Sequence, residues 1–146
     1  MKRFSGIQTL VKTAAWAIKN DVYKIRNYSQ NSFDYVIDIG ASIGEFVIAS
    51  YILFPKAKII AYEPCRETYK VLCDTMVGLP IVLISEAVGD GLPLYFKPSG
   101  NKSPICQGNL FKKNNNGNYA AASVTIDKIF EDNNIDTSKN ILINID

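Results

Sequence analysis

Tyr35-Val36-Ile37-Asp38-Ile39-Gly40-Ala41-Ser42-Ile43-Gly44-Glu45 is an apolar run that breaks into a glycine turn, with an acid two residues before the first glycine. A second apolar run, Ile59-Ile60-Ala61-Tyr62, ends on Glu63-Pro64. Together they read as a strand, a tight turn, a helix and a second parallel strand, with any ligand bound at the carboxyl ends of the strands. Gly40 and Gly44 lack a Cβ, so the turn can be sharp and a ligand can approach the main chain. A helix starting near Ile43 and Gly44 would present unpaired N–H groups to a carboxylate or phosphate. Glu63, at the tip of the second strand, is placed to accept hydrogen bonds from two ribose hydroxyls. Dinucleotide folds use an acid in the same place, so Glu63 alone does not name a cofactor.

The glycine spacing does discriminate. A nicotinamide or flavin site would show G-x-G-x-x-G with a pyrophosphate on the helix start. Here the spacing is G-x-x-x-G, and the Asp38 carboxylate repels a pyrophosphate but suits an ammonium or sulfonium group. S-adenosylmethionine combines adenosine, an α-amino group, a carboxylate and a sulfonium, and it is the expected cofactor. No Walker loop, G-x-x-x-x-G-K-[ST], occurs. An NAD-type dehydrogenase ranks last among the alternatives, and ordinary turn glycines in another α/β protein are the plain one.

Three strings, Val36 to Phe46, Ala61-Tyr-Glu-Pro64 and Glu86-Ala-Val-Gly-Asp-Gly91, resemble the FkbM-type methyltransferases. Ser123-Val-Thr-Ile-Asp127 and Ile143-Asn-Ile-Asp146 are similar to that family's later blocks, so the resemblance runs from Phe33 to Asp146. It implies a doubly wound, mainly parallel α/β sheet of the class I methyltransferase, Rossmann-like kind, with a sugar or polyketide hydroxyl as methyl acceptor. By the same resemblance, Glu86 and Ala87 flank the adenine. That family's last block continues past its aspartate, so the chain is expected to be the front part of a longer methyltransferase, cut after the fourth main strand. An edge strand left bare in that way would favour a homodimer.

Of 146 residues, 47% are hydrophobic and 21% charged, which suits one modest core in a soluble domain. A formal charge of +2 is too small to argue for nucleic acid. Cys65, Cys73 and Cys106 have no C-x-x-C spacing and the chain has no histidine, so metal is not expected and reduced thiols in the cytoplasm are the default. No unbroken apolar stretch follows Lys2-Arg3, so the N-terminus does not read as a signal peptide, and Ala14 to Ile18 is too short to span a membrane.

Residues 1–32 read as an N-terminal helical extension and 33–146 as the cofactor-binding α/β domain. Ile7, Leu10, Val11, Ala14, Ile18, Val22 and Ile25 share one helical face, expected to pack on the domain rather than on a membrane. Beyond it, strands are expected at Tyr35–Ile39, Lys58–Tyr62, Ile81–Ser85 and Ile141–Ile145, the last of them buried. Helices are expected from about Ile43 to Phe54, Arg66 to Val77 and Ile126 to Asn133. Leu92–Phe96 suggests an antiparallel addition, and 97–118 reads as one long loop.

Methyl transfer from a sulfonium needs donor and acceptor held in line and dry, so no nucleophile or metal is demanded. Asp38 would hold the ammonium, directly or through water, Gly40, Ala41 and Gly44 would form the floor, and Glu63 would bind the ribose. Asp146, at the end of the strand expected to border the first, would orient the acceptor or take its proton, with a strand-end cap as the alternative. Glu86 has a solvated-loop alternative, Glu45 suits a helix first turn in any case, and Tyr62, Tyr95 and Tyr119 read as packing. Against the enzyme stands a catalytically silent domain that keeps the cofactor fold for binding or assembly.

Overall fold

The computed structural model of the chain describes residues 3–28, 32–96, 110–111 and 119–146. Helix α1 (Arg3–Asn20) and a 3₁₀ turn (Ile25–Tyr28) precede β1 (Tyr35–Ile39), α2 (Glu45–Leu53), β2 (Lys58–Tyr62), α3 (Arg66–Thr75) and β3 (Ile81–Ile84). Then come β4 (Ala87–Val88), β5 (Leu94–Phe96), β6 (Leu110–Phe111), β7 (Tyr119–Ala121), β8 (Ser123–Val124), α4 (Ile126–Asp132) and β9 (Ile141–Ile145).

The apolar runs β1, β2, β3 and β9 form a parallel sheet in the order β3-β2-β1-β9. Strands buried on both faces need apolar side chains at successive positions, and β1 and β2 have them. Val36, Ile59 and Ala61 pack with Ala14, Phe46, Val47, Leu72 and Met76, which puts α1, α2 and α3 on one face. Ile37, Ile39, Ile60 and Tyr62 pack with Ile129 and Ile135 on the opposite face, where α4 lies. The α/β class and the mainly parallel, doubly wound sheet therefore stand as expected. Ala14 and Ile25 sit in the same core cluster as Val36, so the N-terminal extension shares the core of the α/β part.

Three expectations need correction. The first apolar stripe is not one helix through Ile25: α1 stops at Asn20, and Asp21 and Lys24 adopt left-handed backbone with φ of 52° and 55°. That reversal turns Val22 outward, 48% exposed, and Val11 is also outside at 44%, while Ala14 and Ile18 pack in the cluster that holds Phe46 and Val47 of α2. β9 is not a buried strand: it is the sheet edge, with Ile143 38% and Ile145 70% exposed. The antiparallel addition is larger than one strand, since β5 pairs with both β6 and β7, and β6 lies inside the stretch read as loop. Residues 97–109 and 112–118 of that stretch lie outside the described residues. β4 and β8 form a separate two-stranded parallel pair.

Gly44 caps α2 at φ 94°, and a Cβ there would run into the Met76 methyl and come within 2.8 Å of Leu72 Cδ1 on α3. Gly78 has a similar φ of 84° but nothing within 4 Å of its missing Cβ. Gly44→Ala should therefore lower the urea-unfolding free energy by about 2–3 kcal/mol, combining backbone strain with overpacking. Gly78→Ala should cost only about 1 kcal/mol. Equal losses in the two variants would show that α3 packing is not what requires Gly44.

Candidate functional site

At the carboxyl end of β1, Asp38 is 1% exposed. Parallel register sets it opposite Asn144 of β9, so both side chains fall on the face that carries α2. Asn144 Nδ2 donates to Asp38 Oδ1 at 2.9 Å, whereas Asp38 Oδ2 is buried without a hydrogen-bond partner. Burial pushes the carboxyl up to about 7; the Asn144 bond opposes the shift, and the nearby Asp146 and Glu63 add to it. A buried carboxyl with one oxygen lacking a hydrogen-bond partner and acidic neighbours could pair with a cationic group.

Glu63, also buried, ties the loop to the second strand. Its Oε2 accepts from Ser42 N–H at 2.9 Å and its Oε1 from Cys65 N–H at 2.8 Å. The Gly40 and Ala41 N–H groups both donate to Tyr62 O at 2.9 Å, so the turn is pinned to the end of β2 by three backbone donors. Ser42 is held at φ 50°, a conformation non-glycine residues rarely adopt. Burial raises the Glu63 pKa, and the two N–H donors pull it back. Each oxygen keeps lone pairs beyond its backbone bond, as a hydroxyl-binding role requires.

The glycines serve a purpose the sequence did not disclose. A Cβ on Gly40, at φ 89°, would lie 3.0 Å from Asp146 O, and the Gly44 position faces α3. Both absent side chains make room for the protein itself. Ala41 is buried in the core, and the Gly44 N–H donates to Ala41 O at 2.8 Å, so ligand donors must come from the first turn of α2, which has no side-chain cap.

Asp146 is exposed; its N–H donates to Ile39 O at 3.0 Å, which fixes the end of β9 beside Gly40. Tyr23, from the turn after α1, reaches the same place. Its ring meets Phe46 edge-on at 5.2 Å and its hydroxyl donates to Glu45 Oε2 at 3.4 Å. Burial, followed by Glu45, Asp146 and Asp38, pushes the phenol up to about 12. Sequence reasoning missed both Tyr23 and Asn144. A polar residue inside the apolar run of β9 was the signal for Asn144; for Tyr23 there was none, because two left-handed turns decide its direction.

Glu86 and Ala87 diverge. Ala87 is buried with Cys65, Leu94 and Ala121, where β4 pairs with β8. Glu86 acts on the Tyr62 hydroxyl, which accepts from Asn133 Nδ2 at 3.2 Å on the α4 side of the sheet. Tyr62 is thus a packing residue, as read. Cys65 is disulfide-bonded, which corrects the expectation of reduced thiols; Cys73 is free. Among the described residues, no helix is long and apolar enough to cross a membrane.

Scanned against protein-family models the chain matches none, and no curated protein matches it at a significant level.

The Asp38 arrangement has a stability signature. Below the ordinary carboxylate range both folded and unfolded states hold the proton. Between that range and about 7 the unfolded chain releases it while the folded protein keeps it, so Asp38 lowers stability progressively as pH rises. Asp38→Asn should therefore stabilise the ligand-free protein by on the order of 2–4 kcal/mol at about pH 8 and change little at about pH 4. Denaturant titrations at the two pH values check this; an Asn variant less stable at the higher pH would contradict it.

Proposed function

We propose that the chain is an S-adenosylmethionine-dependent methyltransferase domain of class I type, acting on a hydroxyl of a small metabolite or glycan. The observation that carries this reading is the buried, partnerless Oδ2 of Asp38 at the end of β1, next to a second buried acid, Glu63, at the end of β2. The donor set fits an amino-acid nucleoside. Asp38 would pair with an ammonium group, Glu63 would accept from ribose hydroxyls, and the uncapped first turn of α2 would receive a carboxylate. A pyrophosphate would bring more negative charge than a carboxylate to the same helix start, beside Asp38, Glu45 and Asp146, which disfavours a dinucleotide. The narrower FkbM-type assignment, and with it the hydroxyl acceptor, rests on the sequence resemblance alone.

When bound, the cofactor supplies an activated methyl group on a sulfonium. The chain's own part is to hold donor and acceptor in line. Asp38 anchors one end through its free oxygen, and Glu63 holds both the ribose and the loop that frames it. Asp146, exposed at the rim beside Gly40, is placed to orient an acceptor hydroxyl and take its proton. Ala87 serves through packing, and Glu86 exerts its charge on the Tyr62 hydroxyl, on the α4 side of the sheet. A second reading, a cofactor fold used for assembly, is favoured by one observation: the edge strand β9 presents Ile143 and Ile145 to solvent.

Isothermal calorimetry with S-adenosylmethionine, S-adenosylhomocysteine and NAD separates these readings. The first two should bind and NAD should not; NAD binding in preference to either would refute the proposal. Glu63→Ala should weaken binding by about 1–3 kcal/mol, because ribose acceptors are lost and Ser42 is released from its strained turn. Unchanged affinity in a folded variant would remove Glu63 from the site.

A further inference from the structure

We infer that Tyr23 is the side-chain donor for the carboxylate at the amino-acid end of the ligand, so that the N-terminal segment completes the binding site. The inference rests on the cofactor reading above and adds a residue to it.

An amino-acid end brings an ammonium and a carboxylate on one carbon, so the two must be satisfied within a few ångströms of each other. Asp38 answers the ammonium. The carboxylate then falls among side chains that would repel it, because every charged group acting on Tyr23 is an acid: Glu45, Asp146 and Asp38. Among the described residues, no basic side chain acts on Tyr23, Asp38 or Glu63. What remains is the first turn of α2, uncapped by a side chain, and the phenol O–H of Tyr23 beside it.

Three features suit Tyr23 to that task. Its bond to Glu45 Oε2, at 3.4 Å, is long and weak enough to be exchanged for a better acceptor. Burial and the surrounding acids keep the phenol protonated, which makes it a donor and disqualifies it as a base for the acceptor hydroxyl. Its position is over-determined: the left-handed backbone at Asp21 and Lys24, the Val22 N–H bond to Ala17 O at 3.0 Å and the buried Ile25 swing it inward onto Phe46. A non-glycine residue such as Lys24 at φ 55° costs energy, and such strain persists where surrounding contacts fix it.

Tyr23→Phe keeps the ring on Phe46 and removes only the hydroxyl. Binding is read by calorimetry for S-adenosylhomocysteine and for 5′-deoxy-5′-methylthioadenosine, which has the same nucleoside but no amino-acid end. The variant should bind S-adenosylhomocysteine about tenfold more weakly and methylthioadenosine within about twofold of the parent, with unchanged melting temperature. If the parent binds both ligands and the variant binds S-adenosylhomocysteine as tightly, the role of Tyr23 is overturned while the cofactor reading stands. Equal weakening for both ligands would also overturn it, since a purely structural ring would act that way. Failure of the parent to bind either ligand would bring down the cofactor reading and this inference together.

Discussion

A carboxylate buried with one oxygen satisfied and the other bare is the constraint around which this domain is arranged. Asp38 sits where the sheet is most enclosed, between β2 and β9, and its neighbours make matters worse: Asp146 and Glu63 both favour the protonated form. A chain selected only for stability would place an apolar or amide side chain there, because an uncompensated buried charge costs several kcal/mol. Under the proposed function, a cationic group on the ligand would answer the acid. The single amide of Asn144 orients one oxygen and leaves the other without a partner.

The loop that frames this seat is rigid for reasons internal to the protein. Tyr62 O accepts two N–H groups, Glu63 accepts a third from Ser42, and Gly40 and Gly44 are glycines because Asp146 and α3 occupy the space a Cβ would need. A preorganised loop presents its helix start without ordering costs at the moment of binding. The same contacts give Glu63 a structural task of its own, so under the proposed function a Glu63 variant is read by stability beside affinity.

The parallel sheet was legible because its signals are local. Tyr35–Ile39, Lys58–Tyr62 and Ile141–Ile145 are apolar runs with clear punctuation, and the structure places strands over the same spans. Asp38 was readable as an acid just before a glycine turn, and Glu63 as the acid that ends the next apolar run. What could not be read depended on partners far away in the chain: Asn144 meets Asp38 across 106 residues, and β4 finds β8 only through a two-residue register. The first helix misled because its apolar stripe continues past Asn20 while the backbone does not, so the period pointed Val22 inward where left-handed turns point it outward. The glycine spacing was read for a ligand's benefit, although the nearest atoms belong to Asp146, Leu72 and Met76.

The central claim is that Asp38 carries a proton near neutrality until a cationic ligand displaces it. Carbon-13 NMR of the aspartate carboxyl groups, assigned by comparison with Asp38→Asn and titrated with and without S-adenosylhomocysteine, reads that proton directly. The account predicts an Asp38 midpoint near 7 in the free protein and a fall toward or below the ordinary carboxylate range when the ligand is bound. An ordinary midpoint in the free protein that does not move with the ligand would contradict it.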